Sequence, residues 1–103
     1  MKRLFIFPRA EQDLDGLAEY IAKDNIDAAL GLYTAASAAF QKIAEMPDIG
    51  AKRDFLAPQL ANLRMWPLPH YPNVLVFYDV QDDALRVIRI LHSSRDIEEL
   101  FSN

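Results

Sequence analysis

The chain has 103 residues, 51% of them hydrophobic, and no cysteine. That length suits one modest core rather than two, the apolar share is that of an ordinary folded protein, and disulfide frameworks and thiolate metal sites are excluded. Eleven basic residues against fifteen acidic ones give a formal charge of -4 at pH 7, so the overall excess of Lys and Arg with which a free-standing nucleic-acid binder neutralises phosphates is lacking.

Lys2 to Phe7 read as a short first strand, and Pro8 suits the first helical position, where its missing N–H costs nothing. Leu14, Leu17, Ala18 and Ile21 then recur at helical spacing and give the first helix one apolar stripe. Phe7 at the cap position offers no acceptor, so packing is expected to hold that helix start. Asp24-Asn25 breaks the pattern, with Asn25 placed to close the first helix or to cap the second. The second helix carries Ile26, Ala29, Leu30, Tyr33, Ala36, Phe40, Ile43 and Ala44, and Pro47 ends it.

Residues 51–62 have no clean period and read as loop or a short helix over the sheet edge. Leu63 to Leu68, Val74 to Val80 and Leu85 to His92 read as three strands, the last two joined by a tight turn at Gln81-Asp82-Asp83. Pro67 and Pro69 remove ladder donors, so the first of the three should end or bulge there. Ser94 to Phe101 closes the chain as a short helix with Ile97, Leu100 and Phe101 on one side. The fold class expected is α+β: an N-terminal strand, an α-helical hairpin, then a three-stranded antiparallel meander forming one sheet packed on the helices, all in a single domain over 1–103.

Few residues offer chemistry. The acids load the first helical region, whereas Arg64, Arg86, Arg89 and Arg95 gather towards the C-terminus as a candidate local basic patch. Two distant histidines and no cysteine make a metal site improbable, no Gly-rich phosphate loop is present, and no cofactor is called for. No apolar run approaches the ~20 residues that span a bilayer, and the expected location is the cytoplasm, away from membranes.

Six elements occur in order along the chain: Pro8-Arg9-Ala10-Glu11-x-Asp13-Leu14, Tyr20-Ile21-Ala22, Pro47-x-Ile49-Gly50, Leu63-Arg64-x-Trp66-Pro67, Phe77-Tyr78 and Ile90-Leu91-His92-x-x-Arg95-Asp96. In this order the chain resembles the ParE family of toxins, part of the RelE/ParE superfamily of bacterial type II toxin–antitoxin systems. It departs from that pattern at Phe7, where a capping Ser is frequent, at His70, where Gly is common, and at Asp79, where Arg is frequent.

The resemblance implies a toxin that inhibits DNA gyrase by protein binding, with no catalytic residues, that binds no DNA by itself and is neutralised by a cognate antitoxin. Leu17, Tyr20, Tyr33, Trp66 and Tyr71 are the candidate antitoxin contacts. Trp66 and Tyr71, flanked by prolines, are expected to be exposed and covered by a partner. Candidate target contacts are Trp66, Arg86, Arg89, Ile97, Leu100 and Phe101, read as exposed features near the C-terminus. The alternative is a ribosome-dependent mRNA endoribonuclease, with His92 as acid or base, Arg64 or Arg95 as phosphate cation and Tyr78 as a donor. An inactive relic is the third reading. Against catalysis, His92 is expected to hydrogen-bond a backbone group or Asp96, and Arg95-Asp96 to form a local ion pair or helix cap.

Overall fold

In the computed structural model, which describes residues 2–52 and 61–102, the elements run β1 (Arg3–Ile6), α1 (Pro8–Ala22), α2 (Ile26–Glu45), β2 (Ala51–Lys52), β3 (Arg64–Leu68), β4 (Tyr71–Gln81), β5 (Ala84–His92) and α3 (Ile97–Ser102). The sheet order is β1-β5-β4-β3-β2, with β1 parallel to β5 and the other neighbours antiparallel. The α+β class expected from the sequence is thus found. One strand more than expected is present: Ala51 and Lys52 pair with Met65 and Arg64 as a two-residue edge strand, and the rest of the predicted loop or short helix, residues 53–60, lies outside the described residues.

Local signals set the helix ends. Pro8 opens α1 behind Phe7, which makes no side-chain cap, and the Phe7 backbone instead bonds Val87 O at 2.9 Å. Asn25 caps α2, its side chain accepting from the Ala28 N–H at 3.0 Å, with Asp27 in the first turn near the positive end of the helix. Both hairpin turns of the meander need one residue with positive φ, and neither has glycine: His70 (φ 69°) between β3 and β4, and Asp82 (φ 54°) between β4 and β5. Pro69-His70 fits a type II turn, which explains why glycine would suit position 70.

Alternation along the strands feeds two apolar layers. Val74, Val76 and Tyr78 of β4, with Leu85, Val87 and Ile90 of β5, pack against Leu14, Ala18, Leu32, Ala36 and Ile43 of the helical hairpin. Small residues at Ala29, Ala35, Ala36 and Ala39 line the buried face of α2. The second layer joins Leu63, Phe77 and Leu91 to Ile97, with Leu100 and Phe101 against it, and Phe101 meets Phe77 edge-on with ring centroids 5.5 Å apart. This placement corrects the expectation that Ile97, Leu100 and Phe101 are exposed: Ile97 is buried and the other two are partly buried, because α3 supplies the cover for that layer.

Two irregularities matter for the site. Between β3 and β4 the register shifts at Pro67/Leu68, as the proline spacing predicts. Between β4 and β5 it shifts at Phe77/Tyr78, where Phe77 faces Arg89 and Tyr78 faces Val87, so Ile88 is the extra residue of a bulge. Beyond Val87, β1 has ended and α1 covers the flank of β5. There the Ile90 N–H finds an acceptor in the Asp13 side chain of α1 at 3.1 Å.

Candidate functional site

Arg64 and Tyr78 face each other on β3 and β4 and together hold the loop that follows α2. The Tyr78 hydroxyl donates to Pro47 O and accepts from the Gly50 N–H, both at 2.8 Å. Arg64 donates to Gly50 O at 2.7 Å and to Asp48 O at 3.1 Å. Tyr78 is fully buried, and burial raises its pKa above the ordinary 10.0, with the Gly50 hydrogen bond and Arg64 pulling the other way. Neither side chain is free to meet a phosphate.

His92 lies at the far end of β5, opposite Val74, whereas Arg64 stands opposite Tyr78. Four residues of strand at ~3.3 Å each and two strand spacings of ~4.8 Å put their backbones roughly 16 Å apart. The structure therefore does not bring Arg64 to His92. The Ser94 N–H donates to His92 Nδ1 at 3.1 Å, with the Ser94 hydroxyl 2.8 Å from the same nitrogen, so Nδ1 is the acceptor and a neutral imidazole carries its proton on Nε2. Asp96 accepts from the Glu99 N–H at 3.3 Å and caps α3 instead of pairing with His92.

Three of the four C-terminal arginines are engaged. Arg89 binds Asp13 through two hydrogen bonds of 2.7 and 3.0 Å. Arg86 binds Asp79 at 2.8 and 2.6 Å and lies over the Phe7 ring; the Asp79 hydrogen bond raises its pKa further. Asp79, where arginine is frequent in the resembling pattern, here serves as partner to a neighbouring strand's arginine. Arg95 is exposed and makes no ion pair among the described residues.

Two surface features stand out. The first is a groove of about 410 Å³ between α1, the end of β5 and the turn into α3, lined by Arg9, Gln12, Leu17, Tyr20, His92 and Arg95 among others. The second is an apolar line along α2, where Ile26 and Leu30 are 67% and 62% exposed; Tyr20, 71% exposed, stands at the groove instead. Tyr33 continues the α2 line, its hydroxyl donating to Asp15 at 2.6 Å, a hydrogen bond that raises the Tyr33 pKa.

The chain matches the ParE toxin of type II toxin–antitoxin systems, parDE, over residues 4–97. It belongs to the ParE toxin family. A chain of the chromosomal ParDE toxin–antitoxin system from P. aeruginosa has a similar fold, with TM-score 0.71 and 19% identity over 89% of this chain and 96% of the other. A copper-bound mutant toxin from Helicobacter pylori is also similar, with TM-score 0.59 and 18% identity over 91% of this chain and 97% of the other. No protein of curated function matches in sequence.

Against this family background the structure sorts the ParE candidates. Leu17 and Tyr20 line the groove, and Tyr33 lies on the exposed line of α2. Trp66 and Tyr71, expected to be exposed, are half-buried against the main core, and the Tyr71 hydroxyl donates to Ala28 O at 2.6 Å, tying β4 to α2. Nothing local in the sequence marks Arg9 and Gln12, whose residue types suit any solvated face of an amphipathic helix. Ile26 and Leu30 share the helical spacing of the core residues, yet the buried line of α2 runs through Ala29, Leu32, Ala36 and Ile43. A second apolar line about 100° away was the available signal, since one core-facing stripe accounts for only one of them.

Proposed function

We propose that this ParE toxin acts by binding DNA gyrase, with no covalent chemistry of its own, and that its cognate antitoxin neutralises it by docking an apolar face on the α2 stripe of Ile26, Leu30 and Tyr33. The observation that carries the reading is the use made of the polar side chains. Arg64 and Tyr78, two of the groups that phosphodiester cleavage would require, hold the 47–50 loop, and His92 stands at the other end of the sheet. General acid–base cleavage needs its groups within hydrogen-bond reach of one phosphate, about 3 Å. The exposed stripe supports the antitoxin contact, because an apolar helix line left in water is a surface that a partner covers.

The test is pulse-labelling of DNA and protein synthesis just after the chain is induced without its antitoxin. DNA synthesis should fall first while translation continues. Translation failing first would replace gyrase with the ribosome as target, and unaltered synthesis of both would mean an inert relic.

A further inference from the structure

We propose that the groove between α1, the end of β5 and α3 is the surface that takes the target protein, and that it recognises an acidic segment bearing an apolar side chain. The inference rests on the reading that the toxin acts through protein contact. Within a molecule of net charge -4, this groove has the opposite local balance. Arg9, Arg89 and Arg95 line it against a single aspartate, Asp13. That carboxylate is already saturated: it accepts both Arg89 hydrogen bonds and the Ile90 N–H, and Arg9 reaches it only at 4.0 Å. Across the adjoining turn, Asp96 caps α3. Asp96 and Glu99 share a smaller cleft with Arg95 and offset part of its charge, but neither Arg9 nor Arg95 has an ion pair shorter than 4.0 Å among the described residues, so both keep donors for a ligand.

His92 lines the same groove. With Nδ1 engaged by Ser94, the proton on Nε2 makes it a third donor, and three donors around one opening suit a carboxylate. Leu17, Ile90, Leu91 and Leu100 line the groove as well, a setting for an aliphatic or aromatic side chain next to the acid. A nucleic-acid strand fits less well. Arg9 and Arg95 give the groove two available cations, whereas a strand gains its affinity from several phosphate contacts.

The experiment is inhibition of supercoiling by purified gyrase, titrated with the wild-type chain, with R9E/R95E and with the milder R9Q/R95Q. Binding of the cognate antitoxin is measured on the same samples, and circular dichroism confirms folding. Both arginines are exposed, so the fold should survive. Reversing two charges that meet a carboxylate should raise the inhibitory concentration about 30-fold or more, with the neutral pair in between, and wild-type inhibition should weaken with added salt. Antitoxin binding should be retained. Equal potency of R9E/R95E and wild type would overturn the proposal while leaving the gyrase reading standing, whereas a wild-type chain that never inhibits gyrase would remove that reading and this one with it. Parallel loss of antitoxin binding would assign the groove to the antitoxin, and a single-stranded RNA bound by wild type but not by R9E/R95E would assign it to nucleic acid; either result overturns the proposal.

Discussion

Replacing Asp13 by Ala tests whether the α1–β5 contact is the clamp that the geometry describes. The substitution leaves the Arg89 guanidinium, whose side chain is only 11% exposed, without its partner, and takes the acceptor from the Ile90 N–H. Removing one member of a buried pair costs about 3–5 kcal/mol, and an orphaned N–H adds about 1–3 kcal/mol. The full sum overstates the loss, because water can enter the vacated volume next to the groove and rehydrate both groups. An expected loss of about 2–4 kcal/mol remains, which for a domain of this size lowers Tm by roughly 10–25 °C. Urea unfolding followed by circular dichroism would measure it, with Arg89→Ala and the double variant completing the cycle. A cost of Asp13→Ala below about 1 kcal/mol, or two single effects that simply add, would refute the clamp, which must show a coupling of about 2 kcal/mol or more.

Other substitutions probe the loop, the cap and the turn. Tyr78→Phe removes a donor from Pro47 O and an acceptor from the Gly50 N–H and should cost about 1–3 kcal/mol at neutral pH in the same unfolding assay. Because the folded-state pKa of Tyr78 is raised, its contribution is fully present below pH ~10 and lost as pH climbs through the folded value. The wild type should therefore lose stability above that pH more steeply than Tyr78→Phe does. Gly50→Ala places a methyl against the Tyr78 hydroxyl and ring and should cost about 1–3 kcal/mol by overpacking; an unchanged denaturation midpoint would show that the loop yields freely. Asn25→Ala should cost about 1 kcal/mol through loss of the α2 cap, whereas Asn25→Asp should keep nearly all of it. His70→Gly should raise the midpoint, by up to about 1 kcal/mol, by relieving the positive φ of 69°.

Much of the local architecture is legible from residues a few positions apart. Pro8 and Asn25 mark helix starts, Pro47 marks a stop, and the Pro67 irregularity appears as a register shift, because each depends on backbone chemistry within one turn of the residue itself. Edge pairing is less accessible: Ala51-Lys52 has no strand period of its own and becomes β2 only because β3 offers it a ladder.

The candidate site divides along the same line. Family membership and the ordered motifs follow from the sequence, as does the presence of an arginine-rich C-terminal half. Which arginines remain available does not follow. Arg89 is neutralised by Asp13, 76 residues away in sequence. Arg86 pairs across a hairpin with Asp79, and Arg64 is spent on backbone carbonyls, which leaves Arg9 and Arg95 flanking a groove that no local pattern announces. A helix stripe or a cap is decided by neighbours along the chain. The partner of a charge is decided by whichever group folding brings within about 3 Å of it, and one bulge at Ile88 or one helix laid over β5 is enough to change that partner.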